Sequence, residues 1–204
     1  MNRAQLKANA KAQIKGKIGI LFVITLVIAL VSAVATGILA LIPVVGPIAA
    51  VIIITPAFSL SLMRIYLSVI DGKQPEVRDA FSGFDDFWSA FKVTFLVGLF
   101  TYLWSLLLVI PGIIKSISYS MSMYILAENK GKSARECINE SKQMTNGHKA
   151  ELFVLALSFI GWMLLGTITF GIAYIWIIPY MQATYTNAYR SLKNGADATT
   201  WDAF

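Results

Sequence analysis

The chain has 204 residues, 57% of them hydrophobic and 14% charged, with a mean hydropathy of +0.68 and a formal net charge of +6. An average soluble domain carries about a quarter charged residues and is under half apolar, whereas residues 18–63, 93–114 and 152–189 here contain no charge at all. No soluble globule of this size could bury such runs, and about 20 apolar residues suffice to cross a bilayer as a helix. The composition therefore predicts an all-α, polytopic membrane bundle.

In chain order, residues 1–17 come first as a basic amphipathic helix. Arg3, Lys7, Lys11 and Lys15 recur every fourth position, and Leu6, Ala10 and Ile14 form a neighbouring apolar stripe. Such a helix suits an anionic cytoplasmic leaflet. The first long apolar run must fold back on itself, which predicts spans at 18–42 and 48–70 with a turn at Pro43-Val44-Val45-Gly46-Pro47 and a proline, Pro56, inside the second span. Ala33-Val34-Ala35 mimics a signal-peptidase site, but no polar region precedes it and the apolar run continues, so an uncleaved first span is expected. Ala29, Ala33 and Gly37 make a small-residue stripe suited to helix packing. Arg64 lies near the end of the second span and could snorkel.

Loop 71–91 interleaves Phe81, Phe84, Phe87 and Trp88 with Asp85 and Asp86, and Phe91 continues the series. Aromatics at this density predict an interfacial helix. Two adjacent aspartates project in different directions and lack companion ligands, so no metal site is expected. Spans at 92–110 and 112–127 follow, with a turn at Pro111-Gly112.

The returning segment carries serines at 116, 118, 120 and 122, the period of a β-strand. An isolated strand cannot satisfy its backbone in lipid, so a helix with serines bonded to the preceding turn is expected. Lys115, flanked by Ser116, Tyr119 and Ser120, is the candidate ligand-facing group inside the membrane, with Arg64 as a second. Loop 128–149 contains Ser133-Ala134-Arg135-Glu136, a capping box that starts a helix with Cys137, Ile138, Ser141 and Met144 on one face. Asn146-Gly147 ends it, and it is expected at the interface. Spans at 150–169 and 172–192 complete the set, with a turn at Thr169-Phe170-Gly171, then Pro179, Arg190 near the inner end, and a tail at 193–204.

Six spans in three pairs result, with helix breaks expected at Pro43, Pro47, Pro56, Pro111, Gly112, Gly171 and Pro179. All 17 basic residues except Arg64 and Lys115 fall in the N-terminal stretch, the two long loops and the tail. The positive-inside rule then places both termini and both long loops in the cytoplasm. Internal matches also occur. Lys11, Gly16 and Leu21-Phe22-Val23 recur as Lys142, Gly147 and Leu152-Phe153-Val154; Pro56, Tyr66, Ser68 and Asp71-Gly72 recur as Pro179, Tyr189, Ser191 and Asn194-Gly195. They fit a threefold repeat of helix pairs; low-complexity apolar sequence also yields such matches by chance.

Catalytic signatures are lacking: there is no His-Glu-x-x-His helix, Gly-x-Ser-x-Gly elbow, P-loop or Rossmann glycine pattern, and the single histidine, His148, has no evident nucleophile. A non-enzymatic protein without cofactors is expected. The net positive charge is explained by topology, so nucleic acid is not an expected partner. No carboxylate lies deep in any span, which argues against a proton relay. One cysteine, Cys137, excludes an intramolecular disulfide.

The strings LWSLLLVIPGIIKSISYSMSMYILAEN (103–129), SKQMTNGHKAELFVLALSFIGWMLLG (141–166) and IIPYMQATYTNAYRSL (177–192) resemble the bacterial membrane family known as domain of unknown function 975, essentially over the whole chain. The resemblance implies a multi-pass protein of the cell membrane, mainly of Gram-positive bacteria, with no established activity. Ala156 stands where relatives often have an acid, and Glu128-Asn129-Lys130 replaces a more usual Asp-Asn-Pro. The expected function is an accessory or scaffold role that engages anionic lipids or another membrane protein, itself included. The lipid-surface candidates are Arg3, Lys7, Lys11, Lys15 and Trp88. The alternative is a small transporter or channel for a lipid-like or anionic solute, built around Lys115.

Overall fold

The computed structural model describes residues 2–42 and 45–201, and among these every regular element is helical. Five helical rods are long and apolar enough to cross a membrane. They are α2 (Ile18–Leu39), the Ile52–Ile70 part of α3 (Val45–Ile70), α4 (Phe87–Leu107), α5 (Val109–Tyr119) with α6 (Ser122–Glu128), and α8 (Lys149–Leu157) with α9 (Ile160–Ile168). The expected sixth, α10 (Tyr174–Trp201), is helical but too polar to qualify. Its Thr184, Thr186 and Asn187 are buried against protein, and the two threonine hydroxyls donate to carbonyls one turn back at 2.8 Å. A helix shielded by neighbours does not need an apolar surface of its own.

Two shorter helices dock on these rods. α1 (Arg3–Ile14) buries Leu6, Ala10 and Ile14 and packs mainly along α10, where the Asn187 amide donates to Gln13 Oε1 at 2.6 Å. α7 (Ala134–Met144) starts at the expected box: the Glu136 amide donates to Ser133 Oγ at 3.3 Å, and the Ser133 amide donates to Glu136 at 2.9 Å. Those bonds hold the Glu136 carboxyl below the usual carboxylate range. Cys137, Ile138, Ser141 and Met144 do share a face, but the protein buries it against α4, α5 and α6, so that face is not turned to the bilayer surface. In loop 71–91 there is a 3-10 turn, Val77–Phe81, and the aromatic stretch from Phe87 onward is already the first turn of α4, so the expected interfacial helix is not a separate element among the described residues. Phe81 and Phe84 pack on Phe58 of α3, with ring centroids 6.2 and 5.3 Å away.

The turns fall close to expectation with instructive shifts. Between α4 and α5 the reversal is made by the single extended residue Leu108 (φ −162°, ψ 146°) and not by Pro111-Gly112. Pro111 lies in the first turn of α5, where a missing N–H costs nothing. Gly112 is there for close approach, since a Cβ at this position would stand 2.2 Å from Ser105 Oγ. The α9–α10 turn is where the sequence placed it: Phe170 and Gly171 are both left-handed, and the Gly171 amide donates to the Gly166 carbonyl at 2.9 Å, closing the helix end. Pro43 lies outside the described residues, and Pro47 sits in the first turn of α3. Pro56 and Pro179 were expected to break helices; α3 and α10 run through both.

The rods break elsewhere, at Ser120–Met121 and Ser158–Phe159. There Ser120 Oγ and Ser158 Oγ donate to the carbonyls of Ile117 (2.8 Å) and Leu155 (2.6 Å). Bonding a serine hydroxyl to the previous turn tightens the backbone, and the amides of Ser120 and Phe159 follow with i−3 bonds. At the first break the groups released from the ladder are taken up by α7. Ser141 Oγ donates to the Ser118 carbonyl at 2.7 Å and accepts from the Met121 amide at 3.2 Å. The period-two serines thus mark neither a strand nor a smooth helix, but a kinked one capped from outside.

Several matched positions share local features. Gly16 and Gly147 both have φ +80°, each just ahead of a long rod. Leu21, Ile24 and Ile28 are buried on α2, and Leu152, Leu155 and Phe159 are buried at the corresponding positions. Tyr66 and Tyr189 are both fully buried, and Tyr124 of α6 stacks on Tyr189 with centroids 5.3 Å apart. Each short element packs on a different buried helix: the 3-10 turn on α3, α7 on α6, α1 on α10. The expected packing stripe Ala29, Ala33, Gly37 is exposed; α2 faces the bundle with Leu21, Ile24 and Ile28.

Candidate functional site

Charged side chains collect where α3 and α6 end beside α10. Arg190 Nη2 donates to both Asp71 oxygens at 2.8 Å, and its Nη1 lies 2.5 Å from Glu128 Oε1. Glu128 also accepts from Tyr189 Oη and Lys193 Nζ, each at 2.6 Å. One carboxylate with three donors ties α6 to α10, and Asp71 ties α10 to the end of α3. Arg64 was expected to snorkel. Instead its guanidinium donates to the Ser82 carbonyl and pairs with Asp86, fastening loop 71–91 to α3. Ser61 Oγ secures the same loop by accepting from the Gly83 amide at 2.8 Å. Lys17 Nζ reaches the carbonyls of Val69 (3.3 Å) and Lys73 (2.8 Å). A shallow hollow of about 390 Å³ opens beside Arg64, Asp71, Lys73, Glu128, Arg190 and Lys193. Sequence reading did not single out Asp71 and Glu128 as partners. Asp71 falls in a Tyr-x4-Asp/Asn spacing repeated at Tyr66–Asp71, Tyr124–Asn129 and Tyr189–Asn194, and Glu128 lies one position before the second of these.

Lys115 does not join this cluster. Its amine lies 4.4 Å from the centroid of Trp104 across the α4–α5 pair, a cation–π contact of about 1 kcal/mol. Ser116 and Ser120 are exposed and bond back to their own helix, while Tyr119 is buried 6.2 Å from Phe100. The candidate ligand set is therefore dispersed: Arg64 belongs to the loop clamp, and Lys115 lines none of the four hollows described in this section. One of these, about 250 Å³ between α2 and α3, is edged by Ser32, Thr36, Thr55 and Ser59.

The lipid-surface candidates separate into two places. Trp88 is 68% exposed at the start of α4, edge-on to Phe87 and Phe91. Arg3, Lys7, Lys11 and Lys15 run along α1 beside the stripe that α10 buries. Lys7 lies 4.6 Å over the Phe159 ring at the second helix break, and partial burial together with the Arg3 charge lowers its pKa. Arg3 and Lys7 edge an open hollow with Ser158. Lys11 and Lys15 edge a groove of about 440 Å³ walled by Trp162, Trp176 and Tyr180. Among the described residues none of these four cations pairs with a carboxylate, whereas Arg64, Arg78, Lys132, Arg190 and Lys193 all do. The chain thus offers one cluster built around paired charges and, along α1, one cationic edge that lies open beside apolar surface.

No curated protein and no solved structure matches this chain. A family model, Protein of unknown function (DUF975), matches residues 1–117 and 106–196. With nearly all of its length covered, the chain belongs to the DUF975 family of proteins of unknown function.

Proposed function

We propose that this is a six-span protein of the bacterial cytoplasmic membrane, arranged as three helix pairs with both termini and both long loops inside, that acts without catalysis as a lipid- or protein-engaging scaffold. The observation that carries the reading is how charge and apolar surface are distributed. Leu106, Leu107, Val109 and Ile110 at the α4–α5 reversal and Ile168 and Phe170 at the α9–α10 turn are broadly exposed, Phe170 at 97%. The paired charges and the N-terminal cations gather at the opposite end of the same helices. Apolar tips opposite a basic end fit insertion with the basic end inward.

The transporter reading relied on Lys115, and an amine seated on Trp104 gives it no path to work on. The scaffold reading is therefore preferred, with anionic lipid as the first partner and a second membrane protein, or another copy of this chain, as the next.

Topology is tested in a Cys137→Ser background. A cysteine replacing Phe170 should react with a membrane-impermeant maleimide in intact cells, and one replacing Lys130 should react only after permeabilisation. The reverse pattern would overturn the orientation. Retention of anionic over zwitterionic lipid through purification tests the lipid-engaging role, and equal loss of both would remove it.

A further inference from the structure

Resting on the lipid-engaging reading, we propose that the groove between α1, the start of α2 and the α9–α10 pair binds a single anionic glycerophospholipid. Its phosphate sits between Lys11 and Lys15, and one acyl chain runs along Ile18, Trp162, Ile177 and Trp176. The groove has the two halves such a ligand needs. Lys11 of α1 and Lys15 at its C-terminal cap, four residues apart, stand at one end, and among the described residues no acidic side chain lines it. A headgroup ammonium would therefore find no partner, and a net negative headgroup is favoured over a zwitterionic one.

The other end is apolar. Trp162 and Trp176 are 45% and 54% exposed, and Tyr180 packs against Trp162 with centroids 6.0 Å apart. Asn187, which bonds α1 through Gln13, marks the level of the lysines on α10. Ile177 lies about 15 Å further along that helix at 1.5 Å per residue, roughly half the hydrocarbon thickness. The groove thus spans the depth of one leaflet.

A free phosphate ion would satisfy the lysines and leave the aromatic wall wet, so the lipid is the better occupant. The groove is also more than a charged surface. α1 is held in place by its own buried stripe, so the backbone carrying the two lysines is fixed before any lipid arrives, and only their side chains must be ordered on binding. A volume of about 440 Å³ lies in the ordinary range for small-molecule sites.

The test is native mass spectrometry of the full chain in detergent at physiological salt, titrated with phosphatidylglycerol or phosphatidylcholine. One phosphatidylglycerol should bind at least tenfold more tightly than phosphatidylcholine. The Lys11→Gln/Lys15→Gln double variant should lose about tenfold for phosphatidylglycerol. A charge-matched control, Lys130→Gln/Lys149→Gln, should change less than twofold. Trp176→Ala keeps both charges and should weaken both lipids. If the two double variants lose equally, binding is diffuse; the site is then wrong while the lipid-engaging reading stands. If wild type shows no preference for the anionic lipid, both fall. Full competition by millimolar inorganic phosphate, with Trp176→Ala unchanged, would show an anion pocket and overturn the acyl arm.

Discussion

Replacing Ser141 with alanine tests the account of the kinked fourth rod. Ser141 is fully buried, and its hydroxyl serves two backbone groups, the Ser118 carbonyl at 2.7 Å and the Met121 amide at 3.2 Å. Truncation leaves both without that partner in a buried setting, where each unsatisfied group costs about 1–3 kcal/mol. Thr145 Oγ1 stands 3.4 Å from the Ser118 carbonyl and can shift to replace the first bond in part, so the net loss should be near 2–3 kcal/mol. Ser116→Ala removes only an exposed hydroxyl bonded to its own helix and should stay within about 0.5 kcal/mol. Both variants would be compared with wild type by reversible unfolding in mixed micelles with rising dodecyl sulfate, followed by tryptophan fluorescence. A Ser141→Ala variant as stable as Ser116→Ala would refute the claim that α7 caps the break.

Gly83→Ala should destabilise by about 2–4 kcal/mol in the same unfolding assay, because the new Cβ would stand 2.0 Å from the Ala57 carbonyl, and relieving that overlap moves the loop and breaks the Gly83–Ser61 bond. Glu128→Gln removes the charge shared by Tyr189, Arg190 and Lys193. With these groups partly exposed, the loss should be about 1–3 kcal/mol, read as a lower melting temperature and much reduced by prior removal of both Arg190 and Lys193, which leaves only the Tyr189 bond. The Cys137 thiol is pushed up to about 11, first by burial. Its folded pKa exceeds the unfolded one, so this contribution to stability is present at neutral pH and declines as pH rises from about 9 towards 11. Maleimide should accordingly label Cys137 at pH 8 only after unfolding, and fast labelling of the folded protein would contradict its burial.

Much of this fold is legible in sequence because lipid imposes rules that act residue by residue. Charge-free runs of sufficient length mark the rods, since an apolar solvent penalises every exposed polar group. The Ser133–Glu136 box and the Phe170–Gly171 turn were equally readable, since capping and left-handed backbone depend on local chemistry. Proline was a poorer guide: Pro56 and Pro179 sit inside continuous helices, while the breaks fall at Ser120 and Ser158. A serine marks a break only when its rotamer and an external cap allow it, and the cap at Ser118–Met121 comes from Ser141, 20 to 23 positions away in the chain.

The sequence by itself determined that this chain is helical, apolar along its rods and basic at one end, because those properties are summed over neighbouring residues. Tertiary structure alone decided which charges are spent and which remain open. Nothing local in the sequence says which cations find a carboxylate, yet Arg64 and Arg190 meet Asp86, Asp71 and Glu128, and Lys11 and Lys15 meet a groove. Coulomb attraction falls with distance in space, not along the chain, so a cation's partner is fixed only when α3, α6 and α10 converge and α1 settles against α10.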